Sequence, residues 1–296
     1  MTLPSLPKIS VVVPCFNMES YIEETLKSIT QQDYPNLELV VVDGGSTDRT
    51  LEIVGRYHKY IAKFISEKDK GQYDAIQKGF NFATGDIFCW LNADDVSFPW
   101  SLRTVAKIFK DHQEVSWLTG IPAFLNEDGS LKKIYTNVSA KPTKAIRNGW
   151  YKQGGYGYLQ QESMFWRKEL WRNAGGLDMD YQLAADYELW MRFACHADLW
   201  TLALPLSAFR LRTTSRSQIL KNKYMAEVQR ASAKCKPLPL LYRWFGNGML
   251  SNFLLRLTTW ERTKIIHQPF SKNGWICESR MRSVSPLSIS ALMLEK

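Results

Sequence analysis

Three short clusters in this chain place carboxylates and amides directly after apolar runs. Residues 87–91, Ile-Phe-Cys-Trp-Leu, lead straight into Asn92-Ala93-Asp94-Asp95. A turn explains such a knot, because Asn and Asp side chains bond their own backbone and accept tight φ/ψ values. A cation site is the sharper reading: strand C-termini form the ligand edge of open α/β sheets, and carboxylate oxygens there suit a hard divalent ion. Taken alone, the motif favours the turn. Two further clusters repeat the pattern, however: Cys15-Phe16-Asn17 and Asp43-Gly44-Gly45-Ser46. Three polar clusters at three strand ends are harder to dismiss as turns than one. A fourth candidate, Asp186 in Ala-Ala-Asp-Tyr-Glu-Leu-Trp, reads by itself as a helix N-terminal acid favoured by the dipole, with Glu188 close by.

The elements that would position these groups alternate. Residues 9–13, Ile-Ser-Val-Val-Val, are a continuous β-branched run, as expected for a strand covered on both faces and stopped by Pro14. A helix is predicted over 18–31, with Ser20 and Glu23 as a capping box and Ile22, Leu26 and Ile29 at helical spacing. Residues 37–42 give a second buried strand. Ser46 is expected to cap the next helix, with Asp48 in its first turn. Strands over 60–66 and 87–91 flank a helix over 73–83. Repeated β-α-β units imply a mostly parallel, doubly wound sheet with helices on both faces. Beyond it, 149–166 reads as a long Gly-, Tyr- and Gln-rich functional loop, 167–177 and 185–197 as helices, and 199–206 as a strand ended by Pro205. From about 219 the pattern is helical and basic.

With 296 residues, 45% of them hydrophobic, the chain can bury a full core. Its five cysteines show no Cys-x-x-Cys pairing, which points to a reduced, cytosolic setting rather than to metal–thiolate chemistry. The N-terminus lacks the pattern of a signal peptide, and no apolar stretch reaches membrane-spanning length. The net charge of +9 is unevenly placed. Residues 201–296 hold 16 Lys/Arg against 4 Asp/Glu, a balance of +12, whereas residues 1–200 hold 22 against 25. A near-neutral body with a basic tail suits an anionic partner such as a membrane surface, or is simply a solvated helical surface.

In their order along the chain, five segments resemble the motifs of the family 2 glycosyltransferases, the inverting, nucleotide-sugar-dependent group with the GT-A fold. They are ISVVVPCFNMESYIEETLKSI, LELVVVDGGSTDRT, SEKDKGQYDAIQKGFNFATGD with LNADD, ESMFWRKELWRNAGGLD, and ADYELWMR. The resemblance spans about residues 8–217. It implies a Rossmann-like GT-A catalytic domain over 1–217; the tail beyond, 218–296, is not covered by it and reads from its own charge and pattern as a basic helical extension suited to docking on a membrane or a partner. The resemblance also implies roles. Asp43 is similar to the residue that accepts hydrogen bonds from the nucleotide base or ribose, with Pro14, Phe16 and Asn17 lining the same pocket. Asp69, Lys70 and Asp74 stand where the family meets the ribose, diphosphate or sugar of the donor. Asp94 resembles the carboxylate that holds Mg²⁺ or Mn²⁺ against the diphosphate, and Asp95 a second ligand or sugar contact. Asn92 replaces the Asp common at that position, and an amide brings no charge. Asp186 resembles the catalytic base. Where many relatives carry a His, this chain has Arg212, which cannot ligate a cation but binds a diphosphate in bidentate fashion.

The resemblance therefore implies a hexosyltransferase that uses a UDP-sugar, acting in polysaccharide or glycolipid synthesis on a sugar or lipid-linked acceptor. It is expected in the cytoplasm, peripheral to the membrane. Trp244, Phe245, Phe253 and Trp260, set among arginines over 237–264, suit an interfacial helix pair. A catalytically inactive sugar-nucleotide-binding protein is the alternative, against which Asp43, Asp94 and Asp186 together argue. Nucleic acid is not expected as a partner, because no recognised module is present.

Overall fold

The computed structural model describes residues 6–136, 138, 141–152, 155, 157–233, 235–236, 263–267 and 275–280. Its centre is a nine-stranded mixed sheet. The first four strands are β1 (Ile9–Cys15), β2 (Leu37–Asp43), β3 (Ile61–Ser66) and β4 (Ile87–Trp90). They alternate with α1 (Ile22–Thr30), α2 (Thr50–Gly55) and α3 (Gln72–Phe82). All four strands run parallel, with β1 between β2 and β4. The two-sided burial inferred from the apolar runs is met residue by residue. Val11, Val13, Leu39, Val41 and Cys89 face a core shared with α1 and α2, and Val12, Val40, Val42, Phe88 and Trp90 face the other core with α3.

The second half completes the sheet less regularly. After the short β5 (Val96–Ser97) and α4 (Ser101–Asp111) come β6 (Trp117–Thr119), β7 (Ala123–Leu125) and β8 (Leu131–Ile134). Then follow α5 (Thr143–Arg147), β9 (Met164–Arg167), α6 (Lys168–Ala174) and α7 (Ala185–Phe193). β9 inserts antiparallel between β4 and β6. The strand expected over 199–206 is two: β10 (Trp200–Leu202) joins the main sheet beside β6, and β11 (Ser207–Arg210) joins a small sheet with β5, β7 and β8. Trp90, Trp117, Trp166 and Trp190 are fully buried where β4, β6, β9 and α7 meet, with Trp90 and Trp190 stacked at 5.6 Å. Such pairs add about 0.5–1.5 kcal/mol each beyond their buried area. They anchor β4, which leads through Leu91 into Asn92.

Several local expectations are corrected. β1 does not stop at Pro14. The even-numbered residues of β1 bond towards β4, whose pairing ends at Val12, so the missing N–H of the proline falls where no partner strand remains. The Ser20–Glu23 capping box does not form, since α1 starts at Ile22 without a side-chain cap. Nor does Ser46 cap α2; its hydroxyl turns to Asp43, while Asp48 accepts the N–H groups of Thr50 and Glu19. The tail, read as helical throughout, is helical in α8 (Arg216–Ile219) and α9 (Lys221–Ser232). It then supplies β12 (Thr263–His267) and β13 (Ile276–Arg280), which extend the sheet beyond β10, with Ile265 and Ile266 buried. The rest of the expected interfacial pair over 237–264 lies outside the described residues. Among the described residues, no helix is long and apolar enough to cross a membrane.

Candidate active site

The polar clusters at the ends of β1, β2 and β4 meet at one cavity of about 1140 Å³. That exceeds the ~300–1,000 Å³ of ordinary small-ligand pockets. Of the residues singled out from the sequence, Pro14, Phe16, Asp69, Asn92, Asp94, Asp186 and Arg212 line it. Phe16 is 54% exposed at the mouth, free to cover a planar ligand. Asp69 reaches in over Gly44, where a Cβ would stand 2.5 Å from its Oδ2, so only glycine admits the carboxylate there.

The other expected residues build the frame. Asp43 is fully buried and does not line the cavity. Its carboxylate accepts the N–H groups of Gly45 and Ser46 and the hydroxyls of Ser46 and Ser66, so its acceptor capacity is spent on the turn. Asn17, in the left-handed region at φ 50°, accepts the Thr47 N–H and donates its own N–H to Ser46. It therefore ties the β1 loop to the β2 loop. Asp74 accepts the Lys70 N–H and pairs with Lys78, closing the first turn of α3, while the Lys70 side chain is exposed outside the cavity. The two carboxylates among them share one cause: in tight turns, nearby backbone N–H groups claim them first.

The Asn92–Asp95 turn divides its groups likewise. Asp95 is fully buried, accepting the Arg210 N–H at 2.9 Å and the Asn92 amide at 3.1 Å. Burial, then the charges of Asp94 and Glu162, push its pKa well above the carboxylate range. The Asn92 carbonyl oxygen accepts from Gln72 at 2.6 Å. Asp94 remains as the member that presents a carboxylate to the cavity, and there it pairs with Arg212 at 2.7 Å. Arg212 packs over Tyr21, and its Nε is buried without a partner among the described residues. Of the two carboxylates expected as cation ligands, Asp94 lines the cavity and Asp95 does not. Asp94 fits a hard cation that draws its remaining ligands from phosphate oxygens, provided Arg212 yields. Arg210, missed in the sequence, fixes this turn: it is 1% exposed, donates to the Asp94 carbonyl and bridges to Glu24 on α1.

Asp186 opens α7 and accepts the Tyr73 hydroxyl at 2.9 Å. Burial raises its pKa above the ordinary carboxylate value, and the Tyr73 bond partly offsets this. Its competitor Glu188 is bound to Arg192 and lies away from the cavity. Lys68, Arg216 and Lys221 add positive charge to the lining, and Glu162, Gln161 and Tyr224 add groups that the sequence left unmarked. α9 is therefore part of the site, and a boundary at 217/218 falls inside α8. Its Glu227, 8% exposed, accepts the N–H groups of Gln182, Leu183 and Ala184 at 2.8–3.0 Å, just ahead of Asp186. Glu227→Gln should destabilise the fold by about 2 kcal/mol, since charge-assisted bonds to buried donors weaken together. Urea unfolding of the variant checks this, and an unshifted midpoint would mean that α9 docks without the cap.

Comparison with known proteins gives this arrangement relatives. The sequence model described as "Glycosyl transferase family 2" matches residues 10–173. A PGL/p-HBAD biosynthesis glycosyltransferase of Mycobacterium tuberculosis is 27% identical over 192 residues, covering 63% of this chain and 69% of its own. Among solved structures, S. aureus TarS 1-349 in complex with UDP-GlcNAc superposes with a TM-score of 0.61 at 20% identity, over 80% of this chain and 69% of that one. A mannosyltransferase from Pyrobaculum calidifontis, in complex with GDP-Man and Mn²⁺, superposes with a TM-score of 0.56 at 22% identity, over 86% and 72%.

Proposed function

The chain belongs to glycosyl transferase family 2, and from that premise we propose that it is an inverting hexosyltransferase, moving a sugar from a UDP-sugar to an acceptor hydroxyl. The observation that carries this reading is the shared cavity: Asp186, held by Tyr73, lines the same space as the Asp94–Arg212 pair. In-line displacement needs a proton acceptor on one side of the anomeric carbon and charge neutralisation on the other.

Asp186 takes the proton of the acceptor hydroxyl as that oxygen bonds to the anomeric carbon. The bond from that carbon to the diphosphate oxygen breaks, and the sugar inverts. Arg212, Arg216, Lys68 and Lys221, which line the same cavity, bind the diphosphate that leaves in this reading. Asp94 would hold the divalent cation, Mg²⁺ or Mn²⁺, which when bound neutralises charge on the leaving group. Phe16 and Pro14 provide a face for the base. The acceptor in this reading is a sugar hydroxyl of a growing polysaccharide or glycolipid, in keeping with the mycobacterial relative named for PGL/p-HBAD biosynthesis.

UDP-GlcNAc in TarS and GDP-Man in the mannosyltransferase make the base the first quantity to measure. Isothermal titration against UDP-, GDP- and dTDP-sugars, each with Mn²⁺ and with EDTA, should give micromolar binding for the UDP class. EDTA should weaken it by about tenfold, roughly 1.4 kcal/mol. Binding of no nucleotide class overturns the functional reading.

A further inference from the structure

Glu162 stands in the single turn Gln161–Ser163 that leads into β9. It is 3% exposed, yet it lines the cavity, and its Oε1 is buried with no hydrogen-bond partner among the described residues. Its position is enforced from both sides. Gln161 donates to the Trp90 carbonyl at 2.7 Å and accepts from Asn92. Ser163 exchanges two bonds with Ser207 of β11, each at 3.3 Å. The turn cannot swing Glu162 out to solvent without breaking these ties. A buried carboxyl oxygen left unpaired is unfavourable, and such groups persist where a partner arrives from outside the fold.

The surroundings define that partner. The carboxylates that act on Glu162 are Asp186 at the start of α7 and Asp95 beside the β4 end. Burial, with the charge of Asp186, favours the protonated carboxyl and raises its pKa above the ordinary carboxylate value; a carboxyl group accepts a hydrogen bond in either state and also donates one when protonated. Its complement is a hydroxyl, which does both as well. In the functional reading, on which this inference rests, Asp186 marks the attacking side and the Asn92–Asp95 turn the leaving-group side. What lies between them is the ring of the transferred sugar.

We propose that Glu162 hydrogen-bonds a ring hydroxyl of the transferred sugar and discriminates among sugars carried on the same nucleotide. It is a specificity residue for the donor, distinct from the base at Asp186 and from the residues that meet the diphosphate. A site built to pair a hydroxyl rejects analogues that lack it more strongly than an apolar pocket rejects a misfit, because its own polar atom is then stranded.

Matched pairs separate this role from all others: UDP with UDP-glucose, GDP with GDP-mannose, and dTDP with dTDP-glucose, titrated against wild type, Glu162→Ala and Glu162→Gln. For the pair that wild type binds, Glu162→Ala should bind the bare nucleotide within twofold of wild type and the sugar nucleotide about tenfold more weakly. Glu162→Gln, which keeps a donor and an acceptor, should stay within threefold for both. Monodeoxy analogues of the sugar then locate the contact, since at one ring position the deoxy penalty should vanish in Glu162→Ala. Equal losses for nucleotide and sugar nucleotide would make Glu162 a structural residue, and no loss at all would make it a bystander; either overturns the proposal. Failure of wild type to bind any bare nucleotide overturns the functional reading and this inference with it.

Discussion

Asp186→Asn should lower kcat by about a thousandfold while nucleotide-sugar affinity stays within threefold. General-base assistance contributes about 10²–10⁴ in such steps. The substitution removes the proton acceptor but not its shape, and the amide oxygen can still accept the Tyr73 hydroxyl at the position now occupied by Oδ1. The effect should therefore appear in kcat rather than in folding or KM. Glu188→Gln is the control: Glu188 is bound to Arg192 on the side of α7 away from the cavity, so activity should fall by no more than threefold. A pH profile adds a signature. Because burial raises the pKa of Asp186, the base loses its charge at a higher pH than an ordinary carboxylate would, and activity should fall on the acid side accordingly. The Tyr73 hydroxyl stabilises the charged form. Tyr73→Phe should therefore move the acid limb to higher pH, and a limb that moves down would contradict the assignment. Near-normal kcat in Asp186→Asn would remove Asp186 from the chemistry.

Which of these groups could be read in the sequence depended on what kind of order each one expressed. The strands β1, β2 and β4 were legible because burial on both faces leaves unbroken β-branched and aromatic runs, and their ends marked the cavity wall. Direction was not legible. Asp69 and Asp94 face the cavity, whereas Asp43 is held by the N–H groups of its own turn and Asp95 by the N–H of Arg210, 115 residues away, and no spacing rule reports that. Glu162 was hidden for a different reason. It sits among Gln160, Gln161 and Ser163 in a loop already read as polar; Gln161 and Ser163 are buried with it, and Glu162 is the ionisable one of the four. A lone carboxylate one residue ahead of the apolar run, Glu162-Ser163-Met164-Phe165-Trp166, was the one available signal. β12 and β13 were missed because five-residue strands carry too little period to outweigh a basic, Leu-rich neighbourhood that favours helix. The helical, basic pattern from about 219 does not tie α9 to the site: Glu227 binds it to Leu183 and Ala184, more than 40 residues away in sequence, and Tyr224 lines the cavity, which no local pattern encodes.

Arg212→Ala should weaken nucleotide binding by about 10- to 100-fold, roughly 1.4–2.8 kcal/mol, and should make what binding remains depend more steeply on a divalent cation. The argument starts from competition for one carboxylate. Asp94 presents its oxygen to the cavity, and the Arg212 guanidinium holds it at 2.7 Å. A cation and Arg212 cannot both sit closest to that oxygen. When the cation takes Asp94, Arg212 keeps its fork of donors, including an Nε that is buried without a partner among the described residues, and these fit phosphate oxygens. Removing Arg212 therefore deletes a phosphate contact and also leaves Asp94 as an unpaired charge that repels the diphosphate. Adding Mn²⁺ reverses the second effect but not the first, so the ratio of affinities with Mn²⁺ and with EDTA should rise above the wild-type value. Asp94→Ala should do the opposite, abolishing the difference between Mn²⁺ and EDTA and leaving residual affinity to Arg212, Arg216, Lys68 and Lys221. Arg212→Lys should not restore wild-type binding, because an ammonium offers neither the planar fork nor the stacking over Tyr21. Titration of UDP against the four proteins, with and without Mn²⁺, gives the eight affinities needed. If Arg212→Ala matches wild type in both conditions, the guanidinium is only a counter-ion for Asp94, and the diphosphate lies on Arg216, Lys68 and Lys221 instead.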